Sequence, residues 1–164
     1  MAELKKISKD AIPGALAKIE RYRFLNQPVD AESISRDILA IDPGNQEAHV
    51  ALLLSLSDQF VGDLDGFDEA LKLVQELDDE YTRLYFTGII YERRARAHWR
   101  KGTHGSGYVT YEWFKRALAV LEEAQALRPT GNDESVFRWN AIVRTMKRYA
   151  AIQPQPEAVE QQLE

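Results

Sequence analysis

The sequence predicts an all-α fold built from helix-turn-helix pairs. Apolar residues recur at three- and four-residue steps, as at Ile34, Ile38 and Ile41, which is the spacing of one helix face. The tetrapeptide Asp-Pro-Gly-Asn at 42–45 breaks this pattern, and helical spacing resumes at Val50. No stretch alternates polar and apolar residues for long enough to indicate a strand, so the expected elements are helices separated by tight turns.

The composition limits the class of protein further. The 164 residues suffice for one domain with a buried core, and the net charge of -5 disfavours nucleic acid as the main ligand. Cysteine is absent, which excludes disulfides, cysteine-based zinc sites and a thiol nucleophile. The first ten residues lack the apolar core of a secretion signal, and the longest apolar run, at 50–56, is shorter than the roughly 18 residues of a membrane span. We therefore expect a soluble, cytoplasmic protein without a membrane segment.

Three helical hairpins are expected along the chain, at approximately 12–45, 46–80 and 81–131. The second helix of each hairpin has an alanine near its start, namely Ala31, Ala70 and Ala117. In the third hairpin both helices are elongated and GTHGSG at 102–107 joins them. The arms should cover about 80–100 and 108–127, with four aromatic residues packing across them: Trp99, Tyr108, Tyr111 and Trp113.

Small, aromatic and proline residues recur at fixed places in these hairpins. They are Ala31 with Pro43 twelve residues later, Ala117 with Pro129 at the same separation, and Leu84, Gly88 and Tyr91 in the third hairpin. In this pattern the chain resembles tetratricopeptide repeat (TPR) proteins, whose units of about 34 residues are helix-turn-helix pairs. The resemblance implies a short right-handed superhelical solenoid of three divergent repeats, with the first helix of each repeat lining a concave groove.

The chain departs from a strict repeat in two places. The three alanines are 39 and 47 residues apart, which indicates one insertion around VGDLDG and another that lengthens the third hairpin. After Pro129, an amphipathic helix at 132–150, with Asn132 or Asp133 as its N-cap, should cap the repeat array. The repeats and this capping helix together form the expected domain at 1–151. The Pro-, Gln- and Glu-rich segment 152–164 is expected to be a flexible acidic tail, with docking in the groove as the alternative.

Several stretches imitate chemical motifs without meeting their requirements. GTHGSG lacks the preceding strand and the Lys-Ser/Thr of a phosphate loop. The segment 62–69 resembles a calcium loop, but alignment puts Val61 and Lys72 at positions that need oxygen ligands. The three histidines, His49, His98 and His104, do not converge with carboxylates or a nucleophile. We therefore expect no catalytic residues, no metal site and no cofactor, and predict that the protein is not an enzyme.

The strongest functional feature is the arginine-rich stretch YERRARAHWRKG at 91–102. Arg93, Arg96 and Arg100 are three and four residues apart, so they share one face of the helix. Two interpretations remain open. The arginines belong either to a solvated face, with Glu92 and Arg96 as an ordinary ion pair, or to a basic rim at one end of the groove.

The resemblance to TPR proteins also assigns groove positions on the first helices. The predicted partner-binding residues are Val50, Leu54, Tyr85, Ile89, Arg93, Arg96 and Arg100, and comparable positions are Leu16, Glu20, Phe24 and Asp58. The carboxylate clamp of chaperone-binding TPR proteins needs basic and amide residues at positions where this chain has Leu16, Glu20, Ala51, Thr82 and Phe86. A chaperone adaptor of that type is therefore not expected.

These features predict a noncatalytic protein-protein interaction scaffold that binds a peptide or protein segment in a concave groove. An alternative is an electrostatic RNA- or DNA-binding module that uses the arginine-rich arm, whose affinity would fall steeply with salt. A third possibility is weak self-association between the acidic stretch 63–80 and the basic stretch 93–101. The sequence does not identify the partner.

Overall fold

The computed structural model describes residues 1–60 and 66–156. Those ranges contain a short 3-10 turn at Lys9–Ala11, seven α-helices and no strand, which confirms the all-α prediction. The helices are α1 Ile12–Phe24, α2 Pro28–Ile41, α3 Gln46–Asp58, α4 Phe67–Gln75, α5 Glu80–Lys101, α6 Ser106–Leu127 and α7 Glu134–Arg148. Most of the predicted insertion around VGDLDG and the last eight residues of the tail lie outside the described residues.

Local signals fix where the helices begin and end. The side chains of Asn45 and Asp79 each accept a hydrogen bond from the backbone N–H three residues on, at 2.9 and 2.8 Å, and so begin α3 and α5. Gly102 and Gly105 bound the connection between α5 and α6 with φ angles of 61° and 78°. Because this left-handed backbone favours glycine, the connection stops α5 and allows the chain to reverse.

The helices pack in a regular order. Each helix contacts the next one along the chain, and the odd-numbered helices also contact each other, α1 with α3, α3 with α5, and α5 with α7. The odd-numbered helices therefore form one side of the molecule, against which the even-numbered helices pack. This side positions the candidate site.

Small residues allow the helices to approach closely. Ala31, Ala70 and Ala117 are fully buried. A Cβ atom on Gly88 of α5 would lie 2.7 Å from two side-chain carbons of Leu121 on α6, which is too close for ordinary contact. The absence of that atom lets Leu121 pack directly on the backbone of α5.

Aromatic residues of the long α5–α6 hairpin contact aromatic residues of neighbouring elements. The ring of Trp113 lies 5.4 Å from Tyr91 across the hairpin and 5.5 Å from Phe67 of α4. The ring of Trp99 lies 5.3 Å from Tyr149, which follows α7. The contact of Trp113 with Tyr91 crosses the hairpin as expected, whereas the ring that Trp99 meets lies outside the hairpin.

The chain continues to pack after α7. Ile152, the first residue of the predicted tail, is 5 % exposed and joins the core cluster around Ala95 and Phe114. The backbone of Ala151 lies so close to Gly107 that a Cβ atom there would meet the Ala151 carbonyl oxygen at 2.0 Å. The start of the segment 152–164 is therefore held against the tip of the α5–α6 hairpin.

Candidate functional site

Two adjoining cavities open on the side formed by the odd-numbered helices. The apolar cavity, of about 480 Å³, is lined by Leu16, Ile19, Val50, Ala51, Leu54 and Leu77, with polar residues around them. The arginine cavity, of about 620 Å³, is lined by Arg23, Arg93, Arg96 and Arg100 together with Phe24, Asp58 and neighbouring residues. Because Glu20 and Arg23 line both cavities, we treat them as one continuous groove.

Half-buried aliphatic side chains form the floor of the apolar cavity. Val50 and Leu54, one turn apart on α3, line this cavity together with Leu16 of α1. Each keeps part of its surface exposed in the concavity. An apolar group of a ligand can cover this exposed surface because the site is concave.

Carboxylates line the end of the apolar cavity that is formed by the starts of α3 and α5. Its lining includes Glu47, Asp78 and Asp79. The side chain of Gln46 fixes this rim, because its Oε1 accepts a hydrogen bond from the Asp78 backbone N–H at 2.9 Å. Two hydrogen bonds from Thr82 lower the pKa of Asp79, so its carboxylate is charged at neutral pH.

An ion-pair network spans the arginine cavity. The Asp58 carboxylate of α3 accepts from Arg23 Nε of α1 at 2.7 Å and pairs with Arg93 Nη1 of α5 at 2.9 Å. Arg93 also donates to the Leu54 carbonyl oxygen at 2.9 Å and to the hydroxyl of Ser57. Burial lowers the pKa of Arg93, although nearby Asp58 opposes the effect. Arg93 thus connects α5 to α3, and much of its hydrogen-bonding capacity is used internally.

Arg96 and Arg100 differ in how strongly the protein engages them. Arg96 donates to the Glu92 carboxylate at 2.8 Å, and Glu92 is only 2 % exposed. Arg138 of α7 lies 3.7 Å from the same carboxylate. Arg100 is exposed and donates one long hydrogen bond, 3.4 Å, to the Phe60 carbonyl oxygen. Among the described residues it forms no ion pair, unlike Arg23, Arg93 and Arg96.

Two predicted groove residues lie elsewhere. Tyr85 lines neither cavity, and its hydroxyl lies 3.3 Å from the Glu134 carboxylate of α7. Ile89 also lines neither cavity and is 3 % exposed, as part of the core. The structure therefore brings together Val50 and Leu54 in one cavity and the three arginines in the other, but separates Tyr85 and Ile89 from both.

Sequence reasoning did not identify every residue of the groove. Arg23 stands three residues after Glu20, a predicted groove position, so the helical repeat could have indicated it. Asp78 and Asp79 belong to the turn before α5, where the apolar spacing gives no information. Arg94 has a different place from its neighbours, since its guanidinium lies 3.9 Å from the Phe67 ring and 4.2 Å from the Trp113 ring.

The sequence motifs that resemble chemical sites can be placed only in part in the structure. Within 1–60 and 66–156, no group of three or more histidine or acidic side chains is arranged to hold a metal ion. The first four residues of GTHGSG, 102–105, connect α5 to α6, and half of the calcium-like segment, 62–65, lies outside the described residues. No helix in the described ranges combines the length and apolar character needed to cross a membrane.

Comparisons with known proteins found no match for the chain. No protein-family model matches the chain, and no curated protein or solved structure matches it either. The resemblance to TPR proteins therefore stays a prediction from the residues.

Proposed function

We propose that the protein is a noncatalytic interaction scaffold that binds a peptide or protein segment in the groove. The observation that carries this proposal is the junction of the two cavities at Glu20 and Arg23 on one side of the molecule. An apolar floor beside a charged end suits an extended peptide, because apolar side chains supply affinity while charges select the sequence. The acidic stretch proposed for self-association, 63–80, falls partly outside the described residues.

The apolar cavity would supply most of the binding energy. Leu16, Val50 and Leu54 are half-buried in the free protein, so a ligand side chain could cover their remaining surface. Burial of apolar surface contributes about 25 cal/mol per Å², and a few central contacts usually dominate binding. We expect Leu54 to be such a contact because it lies next to Arg93, whose guanidinium bonds the Leu54 carbonyl oxygen and holds that turn in place.

We further propose that the helices form a TPR-like solenoid of three repeats closed by α7. The fully buried Ala31, Ala70 and Ala117 and the close approach at Gly88 support this arrangement, since TPR repeats place small residues where helices meet. Contacts between successive odd-numbered helices also support it. In such an array the odd-numbered helices would line the concave surface, on which both cavities open.

Nucleic-acid binding through the arginine-rich arm has less support than peptide binding. Arg93 and Arg96 already pair with Asp58 and Glu92, and Arg94 lies against aromatic rings. Few guanidinium groups of the arm are therefore left for phosphates. A binding constant that falls steeply with salt would favour this alternative, whereas binding to an apolar groove should change little.

Selection of peptides from a displayed random library, with the full chain as target, tests the proposal. The affinity of a selected synthetic peptide would be measured by fluorescence anisotropy for wild type, Leu54→Ala and Leu127→Ala. Leu127 is an exposed leucine at the end of α6, outside both cavities, and serves as the matched control. We expect Leu54→Ala to cost about 2 kcal/mol, roughly thirtyfold in affinity, and Leu127→Ala to cost little. Equal effects of the two substitutions, or no enriched peptide, would overturn the proposal.

A further inference from the structure

We propose that the groove has a charge polarity, with one acidic end and one basic end. Its ligand is then an extended peptide with a basic side chain, a central apolar side chain and a carboxylate in that spatial order. This inference rests on the proposed function and specifies the chemistry of the partner. The basic group would meet the acidic rim, the apolar group would enter the apolar cavity, and the carboxylate would reach the arginine cavity.

The direction of the groove follows from the order of its lining residues. On α3 the apolar cavity is lined by residues from Gln46 to Leu54, and the arginine cavity by Ser57 and Asp58. The lining residues of α1 and α5 progress in the same sense, from the early residues of each helix towards the late ones. The groove therefore runs along α1, α3 and α5 from their N-terminal to their C-terminal ends.

The N-terminal end of the groove is acidic. Glu47 lies in the first turn of α3, and Asp78 and Asp79 immediately precede α5. Among the described residues these three carboxylates form no salt bridge, although Arg83 donates to the Asp78 carbonyl oxygen at 3.0 Å. Three carboxylates against one neighbouring guanidinium leave this end with an excess of negative charge.

The C-terminal end is basic and has an exposed aromatic residue. Arg23 lies in the last turn of α1 and Arg100 in the last turn of α5. Within the described part of the chain, Asp58 and Glu92 pair with Arg93 and Arg96, whereas Arg100 has no carboxylate partner and is left for a ligand carboxylate. Phe24 lines this cavity and is 92 % exposed, which gives a second apolar contact beside the arginines.

Acidic groups at the N-terminal ends of helices and basic groups at the C-terminal ends also interact favourably with the helix dipoles. That interaction stabilises the helices without a ligand. It does not account for the half-buried Val50 and Leu54 that lie between the charged ends in an open cavity. Glu47 and Asp58 are eleven residues apart on α3, which corresponds to about 16 Å at the rise of an α-helix. An extended peptide covers that distance with about five residues, which sets the spacing between its basic and acidic groups.

Three charge designs with identical central leucines, four peptides in all, test the polarity. One carries lysines at one end and glutamates at the other, made in both sequence orders because an extended peptide can lie in either direction. The other two carry glutamates at both ends or lysines at both ends. Fluorescence anisotropy with the full chain should show the better mixed-charge peptide binding about three- to tenfold more tightly than either like-charged peptide.

Charge-reversal variants identify the groups responsible. Arg100→Glu should shift the preference towards the peptide with lysines at both ends, and Glu47→Lys towards the peptide with glutamates at both ends. Lys101→Glu and Glu122→Lys change the net charge equally at exposed positions outside both cavities and should leave the preference unchanged. Circular dichroism would confirm that every variant is folded.

The outcomes separate this inference from the proposed function. If all four peptides bind equally and Leu54→Ala weakens each of them, the groove binds peptides but the polarity is overturned. If the control variants shift the preference as much as Arg100→Glu and Glu47→Lys do, net charge is responsible and the polarity is again overturned. If no peptide binds at millimolar concentration, both the polarity and the proposed function are contradicted.

Discussion

The two cavities of the groove use their side chains in opposite ways. In the apolar cavity, Val50 and Leu54 retain exposed surface. In the arginine cavity, most of the charge is already paired, since Asp58 binds both Arg23 and Arg93. The comparison teaches that the number of cationic residues lining a cavity overstates the charge available to a ligand, whereas half-buried apolar surface in a cavity remains available.

The physical reason is the different cost of leaving each kind of group without a partner. A largely buried guanidinium that lacks a carboxylate loses solvation without compensation, so the protein supplies the carboxylate itself. A half-exposed aliphatic side chain costs little by comparison. The arginine cavity should therefore be more important for stability, and the apolar cavity for affinity.

The largest effect on stability is expected from Asp58→Ala. This substitution leaves Arg23 and Arg93 without their shared carboxylate and weakens the connection between α1, α3 and α5. We expect the free energy of unfolding to fall by about 2 to 3 kcal/mol, less than for a fully buried pair because these side chains are partly exposed. Urea denaturation measures the change.

A matched control for that experiment is Glu122→Ala. Glu122 is exposed on α6 and forms no ion pair within the described part of the chain. It should change the free energy of unfolding by less than about 0.5 kcal/mol. If Asp58→Ala is no more destabilising than Glu122→Ala, the Asp58 network does not stabilise the fold as we describe.

A smaller effect is expected from Asp79→Ala at the opposite end of the groove. The substitution removes the N-cap of α5 and should cost about 1 kcal/mol at neutral pH. The hydrogen bonds from Thr82 lower the pKa of Asp79 in the folded state, so this stabilisation is present above the unfolded pKa of about 3.9. It is lost as the pH falls through the lower folded value.

Denaturation of wild type and Asp79→Ala at several pH values tests that expectation. The difference in stability should be largest at neutral pH and should decrease as the pH falls from about 4, where the unfolded carboxylate takes up a proton, through the lower pKa of the folded state. A difference that stays constant down to pH 2 would show that the charged carboxylate is not what stabilises the start of α5.

The smallest effect on stability is expected from Arg100→Ala. Arg100 is exposed, and the contact that fixes it is a long hydrogen bond to a carbonyl oxygen. The free energy of unfolding should change by less than about 0.5 kcal/mol, comparable with Lys101→Ala, the adjacent control. Thermal denaturation would reveal a larger role, and a clear loss of stability only in Arg100→Ala would mean that this cation supports the fold.

Local sequence signals predicted much of the helical architecture. The arms expected at about 80–100 and 108–127 correspond to α5 at Glu80–Lys101 and α6 at Ser106–Leu127. The ends of α5 were predictable because the capping Asp79 and the glycine at 102 act within a few residues. Contacts such as Trp113 with Phe67 join residues far apart in the chain, and helical spacing contains no information about them.

The candidate site was predictable to a smaller extent. Val50 and Leu54, two of the residues named from the sequence, share one cavity, and their helical spacing within α3 could be read from the sequence because it is local. Such spacing did not indicate that Tyr85 would contact Glu134 of α7, nor that Asp58 would bind Arg23 and Arg93. These contacts depend on how distant helices meet, which one sequence without its packing does not specify.

The most direct test of the central claim is methyl NMR of the full chain during titration with the tightest selected peptide. We predict that the methyl signals of Val50 and Leu54 shift as peptide is added, and that the shifts follow the fraction bound expected from the peptide's dissociation constant. The signals of Val109 and Leu127, exposed residues outside both cavities, should stay unchanged. Shifts confined to Val109 and Leu127, with Val50 and Leu54 unaffected at saturation, would contradict the assignment of the groove as the binding site.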